Sequence, residues 1–463
     1  MKPQAHQERL AKKLQSQPGQ LMYWGLGSGK TFGAINAAKS LKAKATVITP
    51  ASLQTNFVNE IKKVKATPSN YSVKSYDKFI RDGATSKNKD LLILDEAQKI
   101  SNPDTERSRA ITRISGEYKK RLLLTGTPIQ NKPSDMSALI NTVAGEKRLP
   151  TDSKTFNQMF LGTTTTSPSL WKRITKGERP VTSVGVKNDP LLMSKIKGLV
   201  DYYEPLDKSN YPTVTRTTVP VEMTKDQIGL YNHFEGKYVD RDLRKKMNSF
   251  APISKSQSGR LNAFLSATRQ ASNTENKFTG VSNNSPKIKA IMDSIKSSKG
   301  PSLVYSNYLN SGLNPIAKRL NESKIPYGLF TGEQSKTEKA NLVKAYNKGR
   351  LKALLVSSSG GEGLDLKGTR NVHLLEKHWN NAKLDQVIGR AVRYKSHSKL
   401  PMEERNVSVY EYLSKFPKKN SIIPFYTPAK RTTADEYLGA ISERKQTINN
   451  KFLKILKQEG SRK

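Results

Sequence analysis

The chain has 463 residues, with 80 Lys and Arg against 39 Asp and Glu, a formal charge of +41 and no cysteine. The missing thiols exclude disulfides, iron–sulfur clusters and every zinc site that needs Cys, and the five scattered histidines (6, 233, 373, 378 and 397) lack a ligand spacing. Apolar runs such as 91–94 and 353–356 fall far short of the roughly 18–20 residues of a membrane span, and Met1-Lys2-Pro3-Gln4 opens without an apolar signal region.

The length leaves room for about three domains. The excess charge implies a polyanionic partner. A basic, partly disordered packaging protein is the other reading that composition leaves open. The charge is spread along the chain: residues 1–100 hold 17 Lys and Arg against 7 Asp and Glu, and residues 395–463 hold 15 against 7. A body that is basic throughout suits a surface lying along a phosphate backbone. Solubility alone needs a far smaller net charge.

In chain order, apolar 21–24 precedes a Gly-rich turn and a helical stretch over 32–42. Residues 45–50 read as a strand and 52–65 as a helix. Strands follow at 90–95 and 121–125. Such alternation of short strands and crossover helices predicts a parallel α/β sheet. The pattern is irregular over 145–203. A strand is expected at 214–221. Residues 225–272 read as helices interrupted near 249–258, and 273–285 as a polar loop. A second α/β pattern then begins, with strands at 301–306, 327–331, 353–357 and 371–375, helices at 313–322 and 385–394, and a late strand at 406–413. Residues 434–457 form a last helix whose stripe of Tyr437, Leu438, Ile441, Ile448, Phe452 and Leu456 should brace one lobe.

Gly25-Leu26-Gly27-Ser28-Gly29-Lys30-Thr31 lies between the first strand and helix, the context a phosphate loop requires. Glycines let backbone N–H groups of Gly27, Ser28 and Gly29 turn towards a phosphate, and the helix N-terminus adds its dipole. Lys30 would meet the β- and γ-phosphates, and Thr31 would coordinate Mg²⁺. Trp24 stands where the strict pattern has a small residue. A plain flexible turn is the competing reading. Asp95-Glu96 ends an apolar strand, where carboxylates face the ligand crevice of an open sheet. Asp95 would hold Mg²⁺ and Glu96 would act on the attacking water, or the pair could simply cap a helix.

These residues carry a resemblance. Asp95-Glu96-Ala97-Gln98 and Leu124-Thr125-Gly126-Thr127-Pro128-Ile129-Gln130-Asn131 resemble motifs II and III of superfamily 2 helicases, and the second is similar to the Swi/Snf-type branch of double-stranded DNA translocases. Gly360-Gly361-Glu362-Gly363-Leu364-Asp365-Leu366 resembles motif V. Gln386-Val387-Ile388-Gly389-Arg390-Ala391-Val392-Arg393 resembles motif VI, and His378-Trp379-Asn380 a Trp-Asn element of the same branch. Gln7 sits where the family places an adenine-reading glutamine, Thr49-Pro50 resembles motif Ia, and Ser75-Tyr76 resembles motif Ib. The segment from Met223 to Tyr231, then Thr268-Arg269-Gln270, Ser285-Pro286-Lys287-Ile288 and the run to Asn307 follow in family order.

The resemblance implies two RecA-like parallel-sheet lobes in tandem, with boundaries at 1–204 and 205–463. Helical insertions lie between them and a brace helix ends the chain, in the compact form found in phages and large DNA viruses. It implies a nucleic-acid-dependent ATPase using ATP and Mg²⁺. Lys30, Thr31, Asp95 and Glu96 would serve on one lobe and Gly363, Asp365, Gln386, Arg390 and Arg393 on the other, with Arg390 and Arg393 as arginine fingers across a cleft. Their i, i+3 spacing would put both on one helix face. Thr125 and Thr127 would couple hydrolysis to movement. Thr49, Pro50, Ser357, Ser358 and Asn380 are candidate backbone contacts, or local turn-forming groups; Trp379 reads as packing. The implied partner is nucleic acid, duplex DNA foremost, inside a host cell or virion, with transcription or replication machinery nearby and no membrane. Strand separation on branched DNA or RNA, and an inactive basic binding protein on the same fold, are the competing readings.

Overall fold

A strand in the middle of a parallel sheet is covered on both faces, so it must be apolar along its whole length. Residues 21–24, 91–94 and 122–124 meet that demand and are buried. The computed structural model describes residues 3–25, 27–82, 89–166, 181–205, 209–251, 253–274, 285–358, 364–379, 381–417 and 432–462. Two six-stranded sheets form from such runs. The chain divides into a first unit, Met1–Leu206 with Arg444–Lys463, and a second, Asp207–Glu443.

In the first unit, helix α1 (Ala5–Ser16) precedes β1 (Gly19–Trp24), and α2 (Lys30–Ser40), β2 (Ala45–Ile48), α3 (Gln54–Lys63) and β3 (Tyr71–Lys74) follow. Next come α4 (Tyr76–Arg81), β4 (Leu91–Asp95), α5 (Glu106–Ser115), β5 (Lys120–Thr125) and α6 (Asp135–Ala144). The sequence reading leaves 145–203 irregular; the structure builds α7 (Ser153–Phe160), an antiparallel pair β6 (Leu161–Thr166) and β7 (Val181–Val186), then α8 (Asp189–Ile196) and β8 (Val200–Tyr203). The Thr-rich β6 carries no apolar alternation to announce a strand. The sheet order is β3-β2-β4-β5-β1-β8, every neighbour parallel. Alternate residues feed two cores. Met22, Trp24, Ile93 and Leu124 pack with Leu10, Ile35 and Phe57 on one face. Leu21, Leu92, Leu94 and Leu123 pack with Ile111, Leu139 and Phe156 on the other.

The second unit orders its sheet β11-β12-β10-β13-β14-β9, again all parallel. Its elements are β9 (Thr213–Glu222), α9 (Lys225–Tyr238), α10 (Arg241–Ser249), α11 (Lys255–Asn273), α12 (Pro286–Ser297), β10 (Ser302–Ser306), α13 (Asn314–Glu322), β11 (Tyr327–Phe330), α14 (Lys336–Asn347), β12 (Ala353–Ser357), β13 (Asn371–Leu374), α15 (Asn381–Ala391) and β14 (Asn406–Lys415). The break expected near 249–258 is set by capping. Ser254 accepts from the Gln257 N–H and Gln257 reaches back to the Ser254 N–H, which starts α11 afresh.

The last helix, α16 (Ala434–Gly460), differs from the expectation that it braces one lobe. Tyr437, Leu438 and Ile441 pack in a core of the second unit with Tyr231 and Phe264. Ile448, Phe452 and Leu456 pack in a core of the first with Phe156 and Phe160. A helical stripe 27 residues long has room for two partners in succession. Among the described residues no helix is long and apolar enough to cross a membrane. Phe452 is wholly buried against Phe156, so Phe452→Ala should weaken the first unit by about 3–5 kcal/mol. Loss of hydrogen-exchange protection at the β1 and β5 amides in urea reads this out.

Candidate active site

Polar chemistry collects at the carboxyl ends of three adjacent strands, β4, β5 and β1, the edge at which open α/β sheets hold ligands. Register enforces it: Asp95 pairs beside Leu124, and Tyr23 beside Thr125.

After β1 the chain must turn sharply into α2. Gly27 and Gly29 both take left-handed backbone, φ 72° and 74°, which glycine adopts without steric cost. Lys30 opens α2, and its Nζ donates to the carbonyls of Trp24 (3.2 Å) and Gly25 (3.1 Å). The Ser28 hydroxyl donates to the Gly25 carbonyl at 2.8 Å. Thr31 follows on α2, half-buried. Gly126, after β5, comes so near that a Cβ there would lie 3.8 Å from Lys30 Nζ. The turn, the lysine and the Thr125 segment therefore share one place.

Trp24 occupies the small-residue position because its indole belongs to the core. Its Nε1 donates to Asp201 at 2.7 Å, and a Cβ on Gly33 would come within 2.9 Å of its ring. Asp201 is fully buried and also receives Arg9 at 3.0 and 3.1 Å. His6 stacks on Tyr203 at 3.6 Å, and its Nε2 lies 3.0 Å from the Ser28 carbonyl, which puts the ring proton on Nε2. Burial holds His6 below its ordinary pKa, so the neutral ring is the donor. Gln7, expected to read adenine, is engaged at both ends of its amide. Its Nε2 donates to the Gly29 carbonyl at 3.4 Å, and its Oε1 accepts from the Gln4 N–H at 2.9 Å. His6, Asp201 and Tyr203 were not singled out from the sequence; the adjacency of His6 to Gln7 was the one local signal.

Asp95 ends β4. Thr49 Oγ1 donates to its Oδ2 and the Glu96 N–H to its Oδ1, both at 3.1 Å. Burial, then the neighbouring Glu96, pushes Asp95 up to about 6, against the pull of Thr49 and Lys30. Of the two readings open for Thr49, the structure shows the local one. Expected on a nucleic-acid backbone, it is fully buried with its hydroxyl on Asp95, and a side chain without surface has no face to offer a phosphate. Pro50 beside it is buried too.

Glu96 has left-handed backbone at φ 52°. Such a conformation in a non-glycine residue costs of order 1–3 kcal/mol and marks functional turns. Its carboxylate accepts from Gln98 Nε2. Gln98 Oε1 accepts from Thr125 Oγ1 at 2.7 Å, and Thr125 Oγ1 accepts from the Thr127 N–H at 3.0 Å. One unbroken line of hydrogen bonds links Glu96 to the loop after β5. That loop is pinned further along by Asp135, which accepts from the N–H groups of Gln130 (3.0 Å), Asn131 (2.7 Å) and Lys132 (3.3 Å). Asp135 was missed because nothing in its sequence spacing distinguishes it from a helix-capping acid.

In the second unit, Ser357 is buried at the end of β12 and Ser358 is exposed beyond it. Gly363 and Asn380 lie outside the described residues. Gln386 is half-buried on α15. The helix ends at Ala391, so Arg393 does not share a helix face with Arg390 as its spacing suggested. Instead the Arg393 N–H donates to Ser396 Oγ at 3.2 Å, and its guanidinium lies 3.9 Å from Asp365. The Leu366 N–H donates to the Arg390 carbonyl at 3.2 Å, tying the Asp365 segment to α15. A further residue, Glu376, organises the end of β10. It accepts from Ser306 Oγ at 2.6 Å, Asn273 Nδ2 at 2.5 Å and the Asn307 N–H at 3.1 Å. Lys287 lies beside it, paired with Asp435 at 2.8 Å, both wholly buried.

Comparison with known proteins gives matches along the chain. The SNF2-related domain family matches residues 69–277, and the helicase conserved C-terminal domain family matches 286–395. A protein of Acanthamoeba polyphaga mimivirus under the provisional name of an ATP-dependent RNA helicase is 33% identical over 460 residues, covering 97% of this chain and 96% of its own. The termination factor NPH-I homolog of African swine fever virus (isolate Tick/Malawi Lil 20-1/1983) is 26% identical, covering 95% and 75%. The solved SWI2/SNF2 ATPase core of Sulfolobus solfataricus in complex with dsDNA is 19% identical, covering 88% and 86%, with a TM-score of 0.35.

The raised Asp95 has a stability consequence. The folded chain holds that proton more tightly than the unfolded one does, so ionising Asp95 erodes stability as pH climbs from about 4 towards about 6. Asp95→Asn should remove that part of the slope. Melting temperatures between pH 4 and 7, without nucleotide or divalent cation, measure it.

Proposed function

Because the chain belongs to the SNF2-related helicase family, we propose that it hydrolyses ATP to move along nucleic acid, with duplex DNA as its track. The hydrogen-bonded line Glu96–Gln98–Thr125–Thr127 carries this reading. A carboxylate suited to orienting the attacking water is joined through it to the segment that resembles motif III. A change at the phosphate therefore has a physical route into the loop after β5.

Transfer of a γ-phosphoryl group to water demands charge compensation and an in-line water more than covalent help. Lys30, held on two backbone carbonyls, is the cation that moves onto the β- and γ-phosphate oxygens. Glycine backbone at 27 and 29 leaves amides free to line the phosphates. Asp95 is a carboxylate that burial leaves short of positive charge, and Thr31 adds a hydroxyl, an oxygen-only pair that suits Mg²⁺. Mg²⁺ bound by them would neutralise phosphate charge. Glu96 orients and deprotonates the water. Arg390 and Arg393 are the candidate arginine fingers, worth about 10³–10⁵ in rate in related phosphoryl transfer.

Duplex DNA is favoured by the likeness of Thr125-Gly126-Thr127-Pro128-Ile129-Gln130-Asn131 to the double-stranded branch. One viral relative is named for RNA and another for termination, so polymer and pathway are open to direct comparison. We place the work inside an infected cell or virion, alongside transcription or replication machinery.

ATP turnover measured with duplex DNA, single-stranded DNA and RNA tests the reading. Stimulation should be greatest with duplex DNA; equal turnover with no polymer refutes translocation, and greater stimulation by RNA moves the track to RNA. Lys30→Ala and Glu96→Gln should abolish turnover. Arg390→Ala should stop turnover while ATP binding persists, and loss of binding would remove it from the finger role. Gln98→Ala should cut polymer-stimulated turnover ten- to a hundredfold at unchanged ATP affinity, as expected for an interaction made beyond the ground state.

A further inference from the structure

The edge of the first sheet opposite the phosphate loop is also charged. Helix α2 starts at the loop and runs 11 residues, about 16 Å at 1.5 Å per residue, to the amino ends of the strands. Helix α3 ends beside it: Lys39 Nζ donates to the Val64 carbonyl at 3.4 Å. Lys39, Lys42, Lys44, Lys62, Lys63 and Lys65 are all exposed there. Lys63 pairs with Glu60. Lys42, Lys44, Lys62 and Lys65 have no carboxylate partner among the described residues.

Lysines at helix C-termini complement the helix dipole, which alone would explain a charge or two. The backbone adds a second observation. Both helices end in the same motif, with Lys42 N–H bonded to the Lys39 carbonyl and Ala43 N–H to Ala38, then Lys65 N–H to Lys62 and Ala66 N–H to Ile61. The residue at the turn of that motif takes left-handed backbone and is normally glycine. Helix α14 closes this way on Gly349 at φ 73°, α10 on Phe250 and α13 on Lys324, both at φ 52°. At α2 and α3 the residue is lysine, each at φ 50°. At this edge two such turns lie side by side, and both place an ammonium in solvent.

We propose that this edge is a second contact for a nucleic-acid backbone, separate from the ATP side. The proposal rests on nucleic acid being the polymer on which the protein works. Phosphates need only mobile cations, which the edge supplies. A protein partner would need buried aromatic or apolar anchors, and the exposed large hydrophobics Leu191, Val214, Tyr394 and Met402 all lie elsewhere.

Duplex affinity is measured against salt for the full chain, for Lys42→Gly/Lys65→Gly, and for a variant with Lys42, Lys44, Lys62 and Lys65 changed to Gln. Each phosphate contact contributes about 0.9 to the slope of log affinity against log salt. The slope should fall by about 2 in the glycine variant and by about 4 in the glutamine variant. Half-maximal stimulation of turnover should need about tenfold more duplex in the latter, at unchanged maximal turnover. The glycine variant should also melt higher than wild type, which separates lost binding from damaged folding. Unchanged slopes in a glycine variant that melts higher overturn the contact, as does loss of poly-glutamate binding with duplex binding intact. Absence of salt-dependent duplex binding in the wild-type chain refutes the proposed function itself.

Discussion

Two adjacent carboxylates at the end of a buried strand govern the arrangement of the first unit. Asp95 and Glu96 repel each other at a half-buried strand end, and the chain resolves this in opposite ways. Asp95 stays on the strand axis, fastened to Thr49 and its neighbour's amide, and is left wanting a cation. Glu96 swings away on a strained backbone and finds the amide of Gln98. The first choice prepares a site for positive charge. The second carries the mechanical linkage, because Gln98 holds Thr125 with its other end.

The second unit handles buried charge by saturation rather than conflict. Glu376 collects a hydroxyl, two amide groups and a backbone N–H, while Lys287 is matched by Asp435 and the Leu375 carbonyl. Burying a carboxylate or an ammonium costs least when partners meet its bonding capacity. The segments around Asn273, Lys287 and Asn307 are far apart in the chain, and this shared requirement holds them at one strand end.

The strands expected from the sequence were legible because each is a short apolar run bounded by polar residues, and the turn into α2 because its glycines precede a helical stretch. The acid pair was legible from its place at a strand end. What escaped reading depended on partners distant in sequence. Trp24 looked like a defect in the loop until Asp201 supplied a reason for an indole there. Thr49 sat in a motif associated with nucleic acid, yet a hydroxyl next to a buried carboxylate bonds to it first. Arg390 and Arg393 were spaced for one helical face, but the helix stops between them. The last helix showed a continuous stripe, and periodicity cannot say that its two halves serve different cores.

That division of α16 has a consequence for how the molecule is made. The first unit joins residues up to 206 with residues from 444 on, and the whole of 207–443 is synthesised in between. Its ends meet: Lys13 donates to the Arg462 carbonyl and the Gly198 N–H to Glu459. By connectivity the second unit is a guest inserted in the first. At about 5–20 residues per second, the first unit waits roughly 10–50 s on the ribosome for residues 444–463. Until residues 444–463 are made, Phe156 and Phe160 lack Phe452 as their cover.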